Sequence, residues 1–225
     1  MAGVLYLVAT PIGNLGDISA RALETLRRVD AVVCEDTRVT AKLRGHFGIG
    51  TPTVSYHHHS APASLRGLVE RLQRGESLAY VSDAGTPGIS DPGGKLVAAA
   101  AAAGIATVPI PGPSAVTAAL SIAGLPLQSY LFLGFPPHKK GRATFFRTVA
   151  ASQHPVVFYE STHRIAKALN ELERLAPERP VVVGRELTKV FETIYRGTAG
   201  EVMAQLKASS SKGEFVVIVA GRNSK

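Results

Sequence analysis

Two carboxylates set in a glycine-rich turn are the first residues of this chain with chemistry to offer. Asp83 and Asp91 lie within Tyr80 to Lys95, YVSDAGTPGISDPGGK. There Gly85, Gly88, Gly93 and Gly94 open positive φ, while Pro87 and Pro92 remove backbone donors, so a shaped loop is expected instead of helix or strand. Glycines at a strand end often cradle phosphate. The phosphate-loop pattern, however, needs Lys directly after its second glycine and then Ser or Thr, and Gly93-Gly94-Lys95-Leu96 does not keep that register. Two acids would also repel a phosphate. Carboxylates with free backbone groups suit ribose hydroxyls, an amine or a sulfonium instead. Near the start, Thr10 to Gly16 reads TPIGNLG and not G-x-G-x-x-G, which disfavours a dinucleotide-binding enzyme. A purely structural turn is the alternative reading of the loop.

A second group follows the apolar run Ala31 to Cys34, where the chain switches abruptly to Glu35-Asp36-Thr37-Arg38. Such a switch marks a strand opening into a site, and equally the start of a surface loop. His57, His58 and His59 are adjacent, so they cannot converge on one ion from regular structure. With Cys34 the only cysteine, no metal site is expected. Basic residues gather at His138, Lys139, Lys140, Arg142 and Arg147, and again at Arg21, Arg27, Arg28, Arg38, Lys42 and Arg44. They fit a polyanionic partner or a solvated face.

The elements that must position these residues are legible as apolar runs. Val4 to Ala9, Ala31 to Cys34, Thr53 to Tyr56, Leu78 to Ser82 and Thr107 to Ile110 read as buried strands. Between them come helical patterns from Ser19, through Leu65, Leu68, Val69 and Leu72, and over Leu96 to Ala103. This β-α alternation implies a largely parallel sheet, and ligands of such sheets sit at the carboxyl ends of strands. The break at Pro111-Gly112-Pro113 marks a domain change, giving 1–113 and 114–225, with a helix over Val116 to Ala123. Strands follow at Leu131 to Phe135, Val156 to Tyr159, Val181 to Gly184, Glu192 to Arg196 and Phe215 to Ala220. With only two longer helical segments between them, one over Thr162 to Leu175, the second sheet is expected to be antiparallel or mixed. The fold class is therefore α/β with two domains.

Across 225 residues, 45% apolar composition supplies ample core, and the net charge of +8 favours an acidic partner. One cysteine precludes an internal disulfide, and the longest apolar stretch, Leu96 to Ile110, is short for a membrane span and broken by Gly104 and Pro109. A cytoplasmic protein with no membrane association is expected.

Six segments in order, LVATPIGNLGDIS, VVCEDTR, VSDAGTPGISDPG, PIPGPSA, FYESTHR and GRELTKVFETIYRG, resemble the ribosomal RNA small subunit methyltransferase I family, a branch of the tetrapyrrole methylases. The match runs from Leu5 to about Gly221. It implies two α/β domains with S-adenosylmethionine in the cleft between them, usually in a homodimer. It also implies methylation of the ribose 2′-hydroxyl of a cytidine in 16S rRNA of the small ribosomal subunit.

Carried over motif by motif, the resemblance places the donor against Asp83, Ala84, Gly85, Pro87, Ile89, Ser90 and Asp91, with Pro11 and Gly112, Pro113, Ser114 and Ala115 nearby. From the second domain it adds Phe158, Tyr159, Glu160 and Ser161, then Glu186, Leu187 and Thr188, then Gly213, Glu214 and Phe215. Phe158 and Phe215 also read as core, and Glu186 as a partner of Arg185. Glu35 falls where relatives carry an acid suggested as a base, while Lys189 would stabilise an alkoxide or hold a phosphate, and Glu160 is the other candidate base. Against a catalytic role, Glu35 also fits a salt bridge with Arg38. RNA contact is expected from Arg38, Lys139, Lys140, Arg142 and Arg147. Two departures stand out: Ser60 where relatives often have asparagine, and a chain that stops soon after Gly221 where many relatives continue into a helical segment. Methylation of a tetrapyrrole or of a modified protein side chain, and a catalytically silent ribosome-binding protein, are the competing functions.

Overall fold

The apolar runs of the first half pair into one sheet whose strands all point the same way. The computed structural model of the protein describes residues 2–222. In chain order, β1 (Val4–Val8), α1 (Ala20–Arg28), β2 (Ala31–Cys34), α2 (Thr37–Phe47), β3 (Thr53–Ser55), α3 (Pro62–Gln73), β4 (Leu78–Val81), α4 (Gly93–Ala102) and β5 (Ala106–Ile110) alternate strand and helix. The strand order is β3-β2-β4-β1-β5, with every pairing parallel. All residues of β2 and β4 are buried, as expected when helices cover both faces of a parallel sheet. Two apolar clusters fill the unit, one around Leu5, Leu72, Leu78 and Tyr80, the other around Val8, Leu26, Val32 and Val81. Parallel strands end at one edge, so the residues after β1, β2 and β4 share it.

Two helices of this unit differ from expectation. No apolar stripe announces α2, which buries only Thr40 and Leu43, and its basic residues read as charge instead of helix. The alanine helix starts at Gly93, inside the stretch read as loop, because the Asp91 carboxylate accepts from the Gly93 amide at 2.6 Å and meets one of the first turn's unpaired donors.

The chain divides into two compact units, Met1–Ser114 and Ala115–Lys225. The second contains α5 (Ala115–Ser121), β6 (Leu131–Phe132), α6 (Arg142–Ala151), β7 (Val156–Ser161), α7 (Ile165–Leu175), β8 (Val181–Arg185), β9 (Thr193–Gly197), α8 (Ala199–Ala208) and β10 (Glu214–Val219). Its sheet, ordered β6-β7-β10-β8-β9, is mixed: β6 and β7 run parallel and every other pair antiparallel. Three helices separate its strands where two were expected. The additional one, α6, buries only Phe146 and Val149, too sparse a pattern to stand out from the basic residues around it. On α7, Ile165, Ala168, Leu169 and Leu172 form one buried face, and α8 begins with a capping box between Thr198 and Glu201. Among the described residues no helix is long and apolar enough to cross a membrane.

Candidate active site

Glu35 leaves the end of β2 half-buried and faces two other carboxylates. Burial, followed by the charges of Asp83 and Asp91, pushes its carboxyl up to about 7. A carboxyl titrating there can accept a proton near neutral pH, which is the tuning a general base needs. The alternative pairing with Arg38 is not formed. Asp36 takes that guanidinium at 3.0 and 2.6 Å, and Arg38 holds the Asp36 carboxyl down to about 2. Among the ion pairs of the described residues none involves Glu35.

Asp83 and Asp91 have different tasks. Asp83 is exposed, and its carboxylate accepts from the Asp36 amide at 3.1 Å, tying the turn after β4 to the turn after β2. Asp91 is spent inside the loop: one oxygen accepts from Gly88 at 2.6 Å, the other from Gly93 at 2.6 Å and from the Tyr80 hydroxyl at 3.3 Å. Asp91 is thus the loop's anchor, a task the sequence did not announce. Tyr80 was missed as part of the site. The available signal was a tyrosine in a buried strand, whose hydroxyl needs a partner.

Gly85 also holds the loop. It exchanges backbone hydrogen bonds with Thr10 at 3.0 Å in both directions, and φ is +82°. A Cβ there would meet Ile12 at 3.3 Å, so any larger residue would press on Ile12 from a strained backbone. The opposite holds at Gly88, with φ of +86° and nothing within 4 Å of a Cβ position. Ile89, at 44% exposure, and Ser90, at φ +63°, complete the open side of the loop, whereas Pro87 is buried. Pro11 and Ala84 lie at the same sheet edge. Pro113 accepts from the Thr86 hydroxyl at 3.0 Å, Gly112 packs on Ala9, and Ser114 precedes Ala115, the first residue of α5. Replacing Asp91 by Ala is expected to lower unfolding stability by about 1–3 kcal/mol, the cost of leaving buried donors unpaired, and to weaken donor binding. Urea unfolding and calorimetry check both, and an unchanged midpoint would contradict the anchor.

The second unit's expected residues fall into three groups. The side chains of Phe158, Phe215 and Leu187 are buried in the core, with Phe158 against Phe145 at 5.5 Å, so their side chains are unavailable to a ligand. Glu160 is fully buried between Arg142 at 3.3 Å and Arg164 at 3.0 Å, while Ser161 donates its amide to it at 2.9 Å. A carboxylate committed to two guanidinium groups is a poor base, and Arg142, only 16% exposed, is not free to meet a phosphate. Lys189 is held by Glu186 at 2.9 Å and Glu214 at 2.8 Å. Burial opposes its charge, yet the two carboxylates win and hold the ammonium above its usual range, so it is not a spare cation. Glu186 pairs with Lys189, while Arg185 donates to the Lys212 carbonyl. Glu186 and Thr188 have φ of +50° and +66°, a strained turn in which the Thr188 hydroxyl is buried without a partner, and Gly213 closes on it at φ +126°. Tyr159 is half-buried beside Phe132 and Phe135.

The remaining candidates resolve simply. Ser60 closes the histidine turn by accepting from His57 at 2.8 Å, and no group of three or more metal-binding side chains occurs among the described residues. Cys34 is buried, which raises its thiol.

Residues 4–203 match the family model of tetrapyrrole (corrin/porphyrin) methylases. A Synechocystis protein named ribosomal RNA small subunit methyltransferase I is 47% identical over 221 residues, covering 97% of this chain and 79% of that one. A Xylella fastidiosa protein of the same name is 49% identical over 223 residues, covering 97% and 82%. The chain belongs to the ribosomal RNA small subunit methyltransferase I family of tetrapyrrole methylases. Among solved structures, uroporphyrin-III C-methyltransferase from Thermus thermophilus, complexed with S-adenyl homocysteine, superposes with a TM-score of 0.66 at 20% identity, covering 96% of this chain and 97% of that one. At that identity the likeness is one of fold. Family membership makes this chain a methyltransferase.

Proposed function

We propose that the protein transfers a methyl group from S-adenosylmethionine to the ribose 2′-hydroxyl of a cytidine in 16S rRNA of the small ribosomal subunit, acting as a cytoplasmic homodimer. The observation that carries the mechanism is Glu35, an unpaired carboxyl poised near neutrality at the strand edge that holds the glycine loop. A sulfonium fits there, because three carboxylates favour a cation and Gly88 leaves backbone open to close approach. Asp83, Ala84, Ile89 and Ser90 would hold the donor, with Pro11 and Gly112 to Ser114 beside them. When bound, the donor supplies an electrophilic methyl on sulfur. The Glu35 carboxylate takes the proton from the ribose hydroxyl, and Asp83 keeps the Glu35-Asp36 turn in place through the Asp36 amide. Alignment supplies the larger share, about 7–11 kcal/mol, against a general base's factor of about 10² to 10⁴.

Labelled methyl transfer tests the reading with small-subunit particles, naked 16S rRNA and tetrapyrrole precursors offered side by side. Transfer to RNA is expected, transfer to a tetrapyrrole would reassign the substrate, and transfer to none would leave a silent binding protein. RNA contact is electrostatic and runs through Lys139, Lys140 and Arg147, all exposed. Replacing these three by Ala is expected to reduce the slope of log affinity against log salt by about 2–3, at roughly 0.7–0.9 per phosphate, with donor affinity unchanged. An unaltered slope would remove the segment as the main contact.

A further inference from the structure

No aspartate or glutamate occurs between Asp91 and Glu160, so the start of the second unit carries Lys139, Lys140, Arg142 and Arg147 with no acidic side chain of its own stretch to neutralise them. Within it, the loop from Gly134 to Gly141 joins an exposed aromatic ring to exposed lysines. Phe135 is 52% exposed, although a phenylalanine is normally drawn into a core. Its ring leans on Tyr159, centroids 5.2 Å apart, and Tyr159 meets Phe132 at 5.1 Å, so one face of a short aromatic ladder is left to solvent. Three residues on, His138, Lys139 and Lys140 are exposed.

The loop is held firmly from beneath. Arg164 donates to the Pro136 carbonyl at 3.0 Å, Arg142 to that of Pro137 at 3.4 Å, and both guanidinium groups end on the buried Glu160. The Tyr159 amide donates to Gly134 at 2.9 Å and the Arg142 amide to Lys139 at 3.2 Å. Aromatic faces interleaved with cations, on a backbone ordered in advance, are what unpaired nucleotides need: bases stack and phosphates pair.

We propose that Phe135 is the stacking face for an unpaired base of the RNA, with Lys139 and Lys140 on flanking phosphates and Glu160 the positioning residue that holds the loop carrying all three. This inference rests on the RNA methyltransferase reading and names the segment that receives the substrate.

The chain has no tryptophan, so Phe135→Trp places a single reporter in the loop. Its fluorescence is expected to be quenched by a short single-stranded oligoribonucleotide and not by the same strand in a duplex. Phe135→Ala should raise KM for small-subunit particles by about 5-fold to 150-fold, the range for losing one stacked base, with donor affinity unchanged and Phe135→Tyr restoring the parent value. Glu160→Gln, assayed in folded protein, should raise the same KM and leave donor affinity in place. Unquenched tryptophan with RNA demonstrably bound would overturn the proposal, as would Phe135→Leu matching Phe135→Tyr. A fall in oligomer mass on Phe135→Ala without quenching in Phe135→Trp would assign the face to a second copy of the chain and also overturn it. Unaltered protein is assayed alongside: failure to methylate particles would sink the enzymatic reading, whereas the quenching result does not depend on methyl transfer.

Discussion

Glu35→Gln is expected to slow single-turnover methyl transfer to small-subunit particles by about 10² or more while leaving fold and donor affinity close to those of the parent. The pH profile carries the stronger test. A base must be deprotonated to act, so the parent rate should rise with pH. In the free enzyme the midpoint belongs near 7, where burial and the charges of Asp83 and Asp91 place the carboxyl. With donor bound, the sulfonium's positive charge favours the carboxylate and moves that midpoint down. Glu35→Gln should lose the rising limb altogether. A rate within about threefold of the parent, with the limb intact, would take Glu35 out of the mechanism and leave alignment without a protein base.

Much of the first unit's scaffold was legible because parallel strands buried on both faces are continuous apolar runs, as in AVVC of β2 and LAYV of β4. The same rule located the loop after β4 and the acid after β2. What the pattern could not show was which polar atoms meet across sequence distance. Asp83 and Asp91 look equivalent in YVSDAGTPGISDPGGK. Only the fold directs one to the Asp36 amide and the other to Tyr80, Gly88 and Gly93. Likewise Arg142 belongs, by sequence, to a basic cluster, and the burial that commits it to Glu160 arises from α6, a helix too weakly patterned to be foreseen. The pairing of Lys189 was hidden for a related reason: its two carboxylate partners lie three and twenty-five residues away.

Removing Glu160 should produce a large loss of stability. Its carboxylate has no exposure, and both arginines that reach it are at least four-fifths buried. Glu160→Ala leaves two desolvated guanidinium groups facing each other without a counter-charge, a change that costs about 3–5 kcal/mol when a buried pair is broken. For a chain of this size that corresponds to a fall in Tm of roughly 6–20 °C. Truncating both arginines together with Glu160 should recover part of the loss, because no charge is then stranded. Thermal unfolding of the single and triple variants measures both effects. A Glu160→Ala protein within about 1 kcal/mol of the parent would mean that water reaches the cluster, and that the Gly134 to Gly141 loop does not depend on it.

The central claim is that the acceptor is a ribose hydroxyl of small-subunit RNA. A 2′-O-methyl group removes the nucleophile that alkali uses to cut the adjoining phosphodiester, so the site of transfer can be read by chemistry alone. Particles methylated with labelled donor, stripped of protein and hydrolysed in alkali, should yield the label in an alkali-resistant dinucleotide whose first residue is a cytidine. Label released as an alkali-sensitive mononucleotide would place the methyl on a base, and would contradict the account.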